Sequence, residues 1–246
     1  MTKKIDRRKN YYMVIDTETT NGLKFPLVYD VGYQIVDKKG NVYVRRSYII
    51  YEIFCKEKEK MSNAYYAEKL PQYEADIASG KRTIKTLYNI RKEMLTYIEE
   101  YRARVCAYNL LFDKRALNNT LSFITNRKYK NFFYEDTEFC DIWHMACCSL
   151  LQQVTFDKMA YNNEWTTPSG NVKTSAEIAY RYLMRDADFE EAHTAFEDVL
   201  IETELLLKGL RMRLTSTEME VVYNPWRKPQ PPYKEYVRYV ESLIAG

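Results

Sequence analysis

The apolar run Tyr11-Tyr12-Met13-Val14-Ile15 ends in Asp16-Thr17-Glu18, and that junction constrains what the rest of the chain builds. A short aromatic and β-branched run reads as a buried strand. Side chains alternate along a strand, so Asp16 and Glu18 project from the same side. Two carboxylates aimed one way at the mouth of a core strand repel each other unless a cation neutralises them. Oxygen ligands of this kind suit a hard divalent metal.

The remaining pattern supplies a sheet for that strand. Thr20-Asn21-Gly22 reads as a turn, Val28 to Asp37 as a second strand, Lys38-Lys39-Gly40-Asn41 as a hairpin turn and Val42 to Ile50 as a third strand. Together they predict an antiparallel meander. A charged excursion at 56–60 is followed by helical patterns over roughly 61–78 and 84–101. Arg104 to Tyr108, short and apolar after a helix, fits a parallel strand reached by a crossover. Asn109 then caps a helix to about Asn119, and Phe139 to Leu151 reads as another apolar helix. Residues 161–174 form a loop, Ser175 starts a helix ending near Met184, and a last core helix spans about Ala195 to Leu210. Strands first, then helices with a crossover strand, predict an α/β fold: a mixed sheet flanked by helices. Residues 1–10 form a basic arm, 11–210 the main domain with a helical insertion at about 56–101, and 211–246 a Pro-rich extension ending in a short helix.

Two further stations carry acids. Asp113 falls in the first turn of the helix after the central strand, at the carboxyl end of the sheet, where open α/β sheets place their sites. In Ala192-His193-Thr194-Ala195-Phe196-Glu197-Asp198, Thr194 and Glu197 stand in the capping-box relation. The helix then begins at Thr194, with His193 just outside it and Asp198 in its first turn. Four carboxylates (Asp16, Glu18, Asp113 and Asp198) therefore fall at ends of core elements, where they can meet above the sheet. Acids that clamp two divalent ions about 3.5–4 Å apart suit in-line displacement at phosphorus. His193 has the right ordinary pKa, near 6.5, to take a proton from water at neutral pH. The chain has two histidines, no phosphate-binding Gly loop and no nucleophile elbow, so no rival chemistry competes.

On these residues the chain resembles the DnaQ-like, or DEDDh, 3′–5′ exonucleases of the ribonuclease H-like superfamily. Asp16-Thr17-Glu18-Thr19-Thr20 is similar to the family's first motif, Asn109 to Asp113 with Phe112 to its second, and His193-x-Ala195-x-x-Asp198 to its third. Asn21, between Thr20 and Gly22, departs from the pattern near the terminal-nucleotide pocket. The stretch between the first two motifs and the tail after 210 have no counterpart in the resemblance. It implies a ribonuclease H-like fold and two Mg²⁺ or Mn²⁺ ions. Asp16 would bridge both ions, Glu18 and Asp198 would complete the site of the nucleophile-activating ion, and Asp113 would support the second. It implies His193 as general base and Thr17, Thr19 and Asn109 as substrate-binding residues, with Leu23 a candidate wedge beside the last base. The implied activity is release of nucleoside monophosphates from the 3′ end of single-stranded DNA.

Alternatives stay open at this level. The same chemistry could act on RNA or very short oligonucleotides, since sugar choice depends on contacts to the 2′ position. The chain could also be an inactive nucleic-acid-binding module. The net charge of +3 is too small to argue nucleic-acid binding from the total, and a polymerase partner has no sequence signal. Five cysteines without metal-finger spacing read as reduced thiols of a cytosolic protein, and no stretch approaches membrane-span length. Cys140, Asp141 and His144 lack a fourth zinc ligand and read as core helix. Gln152 to Phe156 faintly resembles a sliding-clamp-binding peptide, and Trp226-Arg227-Lys228 could stack on single-stranded bases.

Overall fold

Strand β1 (Tyr11–Thr19) runs three residues past Asp16, where the sequence pattern ends it, and its register holds both Asp16 and Glu18 in the sheet. The computed structural model describes residues 5–20, 24–64, 67–212 and 219–222. The expectations for Lys3, Lys4, Asn21, Gly22, Leu23, Trp226 to Lys228 and the terminal helix lie outside those residues.

β1 pairs antiparallel with β2 (Val28–Asp37), which pairs antiparallel with β3 (Val42–Ile50), as the alternation and the hairpin turn predict. Gly40 closes that turn at φ +82°, a conformation open to glycine and strained for other residues. After β3 come α1 (Tyr51–Phe54), α2 (Lys58–Ser62), a 3₁₀ turn Ala67–Lys69 and α3 (Leu70–Ala78). The predicted helix over 61–78 is thus broken into pieces. A short strand β4 (Thr83–Lys85) then pairs parallel with β3, where the pattern predicts the start of a helix; α4 (Leu87–Tyr101) begins only after it. β5 (Arg104–Ala107) pairs parallel with β1, and α5 (Leu110–Ile124) follows, a turn longer than predicted.

Phe139 to Leu151 is not one helix. Its first residues form β6 (Phe139–Asp141), parallel to β5, and only then does α6 (Ile142–Cys148) begin. Asp141 makes the switch, its carboxylate accepting from the Trp143 and His144 amides at 2.9 and 3.3 Å. Asp141 and His144 are occupied in this way, His144 Nδ1 lying 2.8 Å from the Glu220 carbonyl, so neither faces a zinc site. α7 (Val154–Asn162), also not predicted, covers most of the clamp-like segment. α8 (Ala176–Met184) and α9 (Ala195–Arg211) match their expected limits. The six strands lie in the order β4-β3-β2-β1-β5-β6, a ribonuclease H-like mixed sheet. No helix among the described residues is long and apolar enough to cross a membrane.

The two faces of β1 lead into different cores, which decides where its acids go. Tyr11, Met13 and Ile15 pack with Ile90 and Met94 of α4 and Leu117 of α5. Tyr12 and Val14 pack with Val199, Leu205 and Leu206 of α9. By the alternation of the strand, Asp16 and Glu18 share the α9 face, and Thr17 and Thr19 the α5 face. Helix α9 is fixed there by residues each worth about 1.5–3 kcal/mol on burial.

Gly32 sets how closely α9 approaches. It lies opposite Asp16 in the register, and a Cβ there would sit 2.5 Å from the Ala195 carbonyl oxygen and 2.7 Å from the Phe196 Cα. Backbone cannot yield as a flexible side chain does. Gly32→Ala is expected to cost about 1–3 kcal/mol by overpacking, read as a lowered Tm, and to move the start of α9 away from the sheet. An unchanged Tm would contradict this packing.

Candidate metal centre

Ligand oxygens of Asp16, Glu18 and Asp198 all lie within 4.8 Å of one another. Strand alternation aims the first two at α9, and Asp198, in the first turn of α9, completes the group. Glu18 and Asp198 are buried, whereas Asp16 keeps part of its surface exposed. Asp198 Oδ1 is buried without a hydrogen-bond partner, a costly state for a carboxylate oxygen. Three converging carboxylates and an orphaned oxygen fit a divalent cation of the Mg²⁺ or Mn²⁺ type.

Asp113 and His193 lie outside that group of three. Asp113 reaches the end of the sheet from the α5 side, is 2 % exposed, and accepts a 2.7 Å hydrogen bond from the Thr17 hydroxyl. Its charge acts on Asp16, so it belongs to the same electrostatic unit. The hydroxyl of Thr17, a residue the resemblance implies in substrate binding, donates to Asp113. Thr19 ends β1 just past a register shift opposite β2. Asn109 precedes α5 at φ +65° with no capping bond from its side chain, so the expected cap is not made; its amide donates to Asp141 Oδ1 at 3.3 Å instead.

His193 adopts the left-handed region (φ +50°) just before α9, with Nδ1 3.7 Å from Glu191 Oε2. The Thr194–Glu197 pair departs from a capping box: the Thr194 hydroxyl donates to the Glu197 carboxylate, and the helix amides receive no side-chain cap from it. The same Glu197 carboxylate also pairs with Arg82 at 3.0 Å.

One acid in the cluster escaped the sequence analysis. Glu202, one turn beyond Asp198 on α9, is 3 % exposed and accepts from the Tyr108 amide at 3.0 Å. Its charge is the largest of those acting on Asp16. The four-residue spacing from Asp198 was a legible sign, since it places both on one helix face.

Crowding shows in the acidities. Burial, then the charges of Glu202, Asp113, Asp198 and Glu18, drive the Asp16 carboxyl well above the usual range. Burial and the charge of Asp198 push Glu18 up to about 9. Burial and Glu191 push Asp198 up to about 8. Burial raises Asp113 to about 7 against the Thr17 bond, which lowers it.

These shifts give a pH dependence with a definite sign. The folded carboxyls hold protons that the unfolded chain has released, so the contribution of these four groups to stability without metal is fullest below pH about 4. It falls as pH rises through the folded values toward pH 9. Metal binding must displace those protons. Without metal, Tm is expected to drop between pH 5 and 9, and Mn²⁺ to raise it most at the upper end. A metal-independent Tm across that range would contradict the site.

The sheet order and the crossover to β5 give a ribonuclease H-like fold, with the acids at the carboxyl ends of its strands. The structure of cell-death related nuclease 4 (CRN-4) aligns with 95 % of this chain and 78 % of its own, at 11 % identity and a TM-score of 0.52. E. coli exonuclease I in complex with a dA16 oligonucleotide aligns with 85 % of this chain at 12 % identity and a TM-score of 0.47. This chain spans 42 % of that protein. At such identities the likeness concerns the fold. No protein-family model matches the sequence, and no curated protein matches it.

Proposed function

We propose that this chain is a metal-dependent 3′–5′ exonuclease that hydrolyses phosphodiester bonds from the 3′ end of single-stranded DNA and releases nucleoside monophosphates. The observation that carries the reading is the convergence of Asp16, Glu18 and Asp198 with an orphaned Asp198 oxygen, on a sheet whose other face sends Asp113 to the same edge. A need to neutralise these charges explains why the acids are assembled at such cost in acidity.

In this reading Asp16, Glu18 and Asp198 hold the ions, with Asp113 supporting the second. Bound there, divalent ions lower the pKa of water and stabilise charge on phosphate oxygens. The chain supplies the rest. Thr17 fixes the rotamer of Asp113. His193 accepts the proton of the attacking water, and burial holds its pKa below the ordinary 6.5, so it is neutral at pH 7. Thr19 and Asn109 line the approach to the terminal nucleotide. The main domain spans 11–210, with the basic arm before it and the extension after it.

End-labelled DNA and RNA strands, incubated with Mg²⁺ or Mn²⁺ and with chelator, test this. The expected result is mononucleotide release from the 3′ end of DNA, abolished by chelator. Release from RNA alone would reassign the enzyme as an exoribonuclease. Release from neither would mean a binding module.

A further inference from the structure

Arg82 joins the two elements that carry Glu18 and Asp198. It lies between α3 and β4, in the stretch that has no counterpart in the family resemblance, and its side chain is 2 % exposed. Its Nη1 pairs with Asp30 at 3.0 Å, its Nε with Asp76 at 3.1 Å and its Nη2 with Glu197 at 3.0 Å, while the guanidinium covers the ring of Tyr73. Asp30 lies opposite Glu18 in the β1–β2 register, and Glu197 is the neighbour of Asp198 on α9. One planar cation thus spans from the strand pair that holds one candidate ligand to the helix that holds the other.

Asp30 makes the same connection a second time. Its Oδ2 accepts from the Tyr73 hydroxyl at 2.9 Å and from the Ala195 amide, the first of α9, at 3.3 Å. Thr194 leaves that end of the helix without a side-chain cap, so the carboxylate of β2 supplies one from outside. Gly32, with no Cβ, admits the helix against the sheet, and the Asp30–Arg82–Glu197 chain decides where it stops. A guanidinium fork suits that task because it meets carboxylates at set angles. Apolar residues of similar volume often stabilise a core as well as a buried ion pair does. What they do not supply is a fixed direction between two backbones.

We propose that Arg82 is a positioning residue of the candidate metal centre: by tying Asp30 to Glu197 it fixes the separation of Glu18 and Asp198, and so the size of cation they accept. The inference rests on the metal-dependent reading and deepens it by naming what sets the ion's identity. Mg²⁺ requires near-ideal octahedral oxygens at about 2.0–2.1 Å, whereas Ca²⁺ accepts irregular sets at about 2.3–2.6 Å. A helix free to slide by a fraction of an ångström therefore costs Mg²⁺ its fit and leaves Ca²⁺ nearly indifferent.

Calorimetric titration with Mg²⁺ and with Ca²⁺ tests this on wild type, Arg82→Lys, Glu197→Ala and the double variant, with Tm recorded for each. Each single variant is expected to weaken Mg²⁺ binding by about 10–100-fold and to leave Ca²⁺ binding little changed. The double variant should be no worse than the weaker single one, since both cut the same link. The ratio of the two affinities is the decisive reading. Charge removed beside the site acts on both divalent ions alike, and looser packing lowers Tm without changing the ratio. Glu197 is partly exposed, so its truncation keeps the buried Asp30–Arg82 pair and carries the test even where Arg82→Lys does not fold. An equal loss for both ions, or a lowered Tm with the wild-type ratio, would overturn the proposal and leave Arg82 a fastener of the fold. Failure of the metal-dependent reading would show separately, as a wild type that binds neither ion.

Discussion

Asp16→Ala is expected to reduce turnover by at least about 10³-fold and to abolish tight Mn²⁺ binding. Asp16 is the acid on which all the others act: Glu202, Asp113, Asp198 and Glu18 each raise its pKa. A group at that focus is where two ions would share an oxygen. Removing it leaves Glu18 and Asp198 as one incomplete site and Asp113 as another. Metal ions at such sites supply several kcal/mol of charge stabilisation, and each 1.36 kcal/mol is a factor of ten. Rate measurements and a Mn²⁺ titration on the same preparation check both halves. The fold should survive, because the substitution relieves repulsion in the metal-free state. Near-normal turnover would mean that the acids serve another purpose.

His193→Ala is expected to lower kcat/KM by about 10²–10⁴-fold at neutral pH while Mn²⁺ binding stays intact. The separation of the two effects is the point, since His193 lies outside the group of converging acids. Its imidazole is held below its ordinary pKa by burial and then by the charge of Lys69, with Glu177 and Glu68 opposing. The base form therefore persists to lower pH than for a free histidine. The acid limb of the wild-type rate profile attributable to this group should fall below pH 6.5 and vanish in the variant. Added imidazole should restore part of the rate. Loss of metal binding in His193→Ala would instead make the residue a ligand.

Legibility in the sequence followed the range of the interactions involved. β2 and β3 were readable to the residue because alternation and a glycine turn are local signals. β4 and β6 were not: each is three residues long, parallel, and defined by pairing with a distant strand. The apolar run from Phe139 favours helix and sheet alike until the Asp141 carboxylate divides it. The candidate ligands were visible because each sits at the junction of a local pattern with a polar residue. Glu202 was within reach by its helical spacing. The Arg82 bridge to Asp30, Asp76 and Glu197 was not, since its partners come together only in the fold.

A crystal grown with Mn²⁺ and examined by anomalous scattering tests the central claim most directly. Two peaks about 3.5–4 Å apart are expected, with an Asp16 oxygen between them, Glu18 and Asp198 on one ion, and Asp113 facing the other. No peak among these acids, or a single ion elsewhere on the chain, would contradict the account.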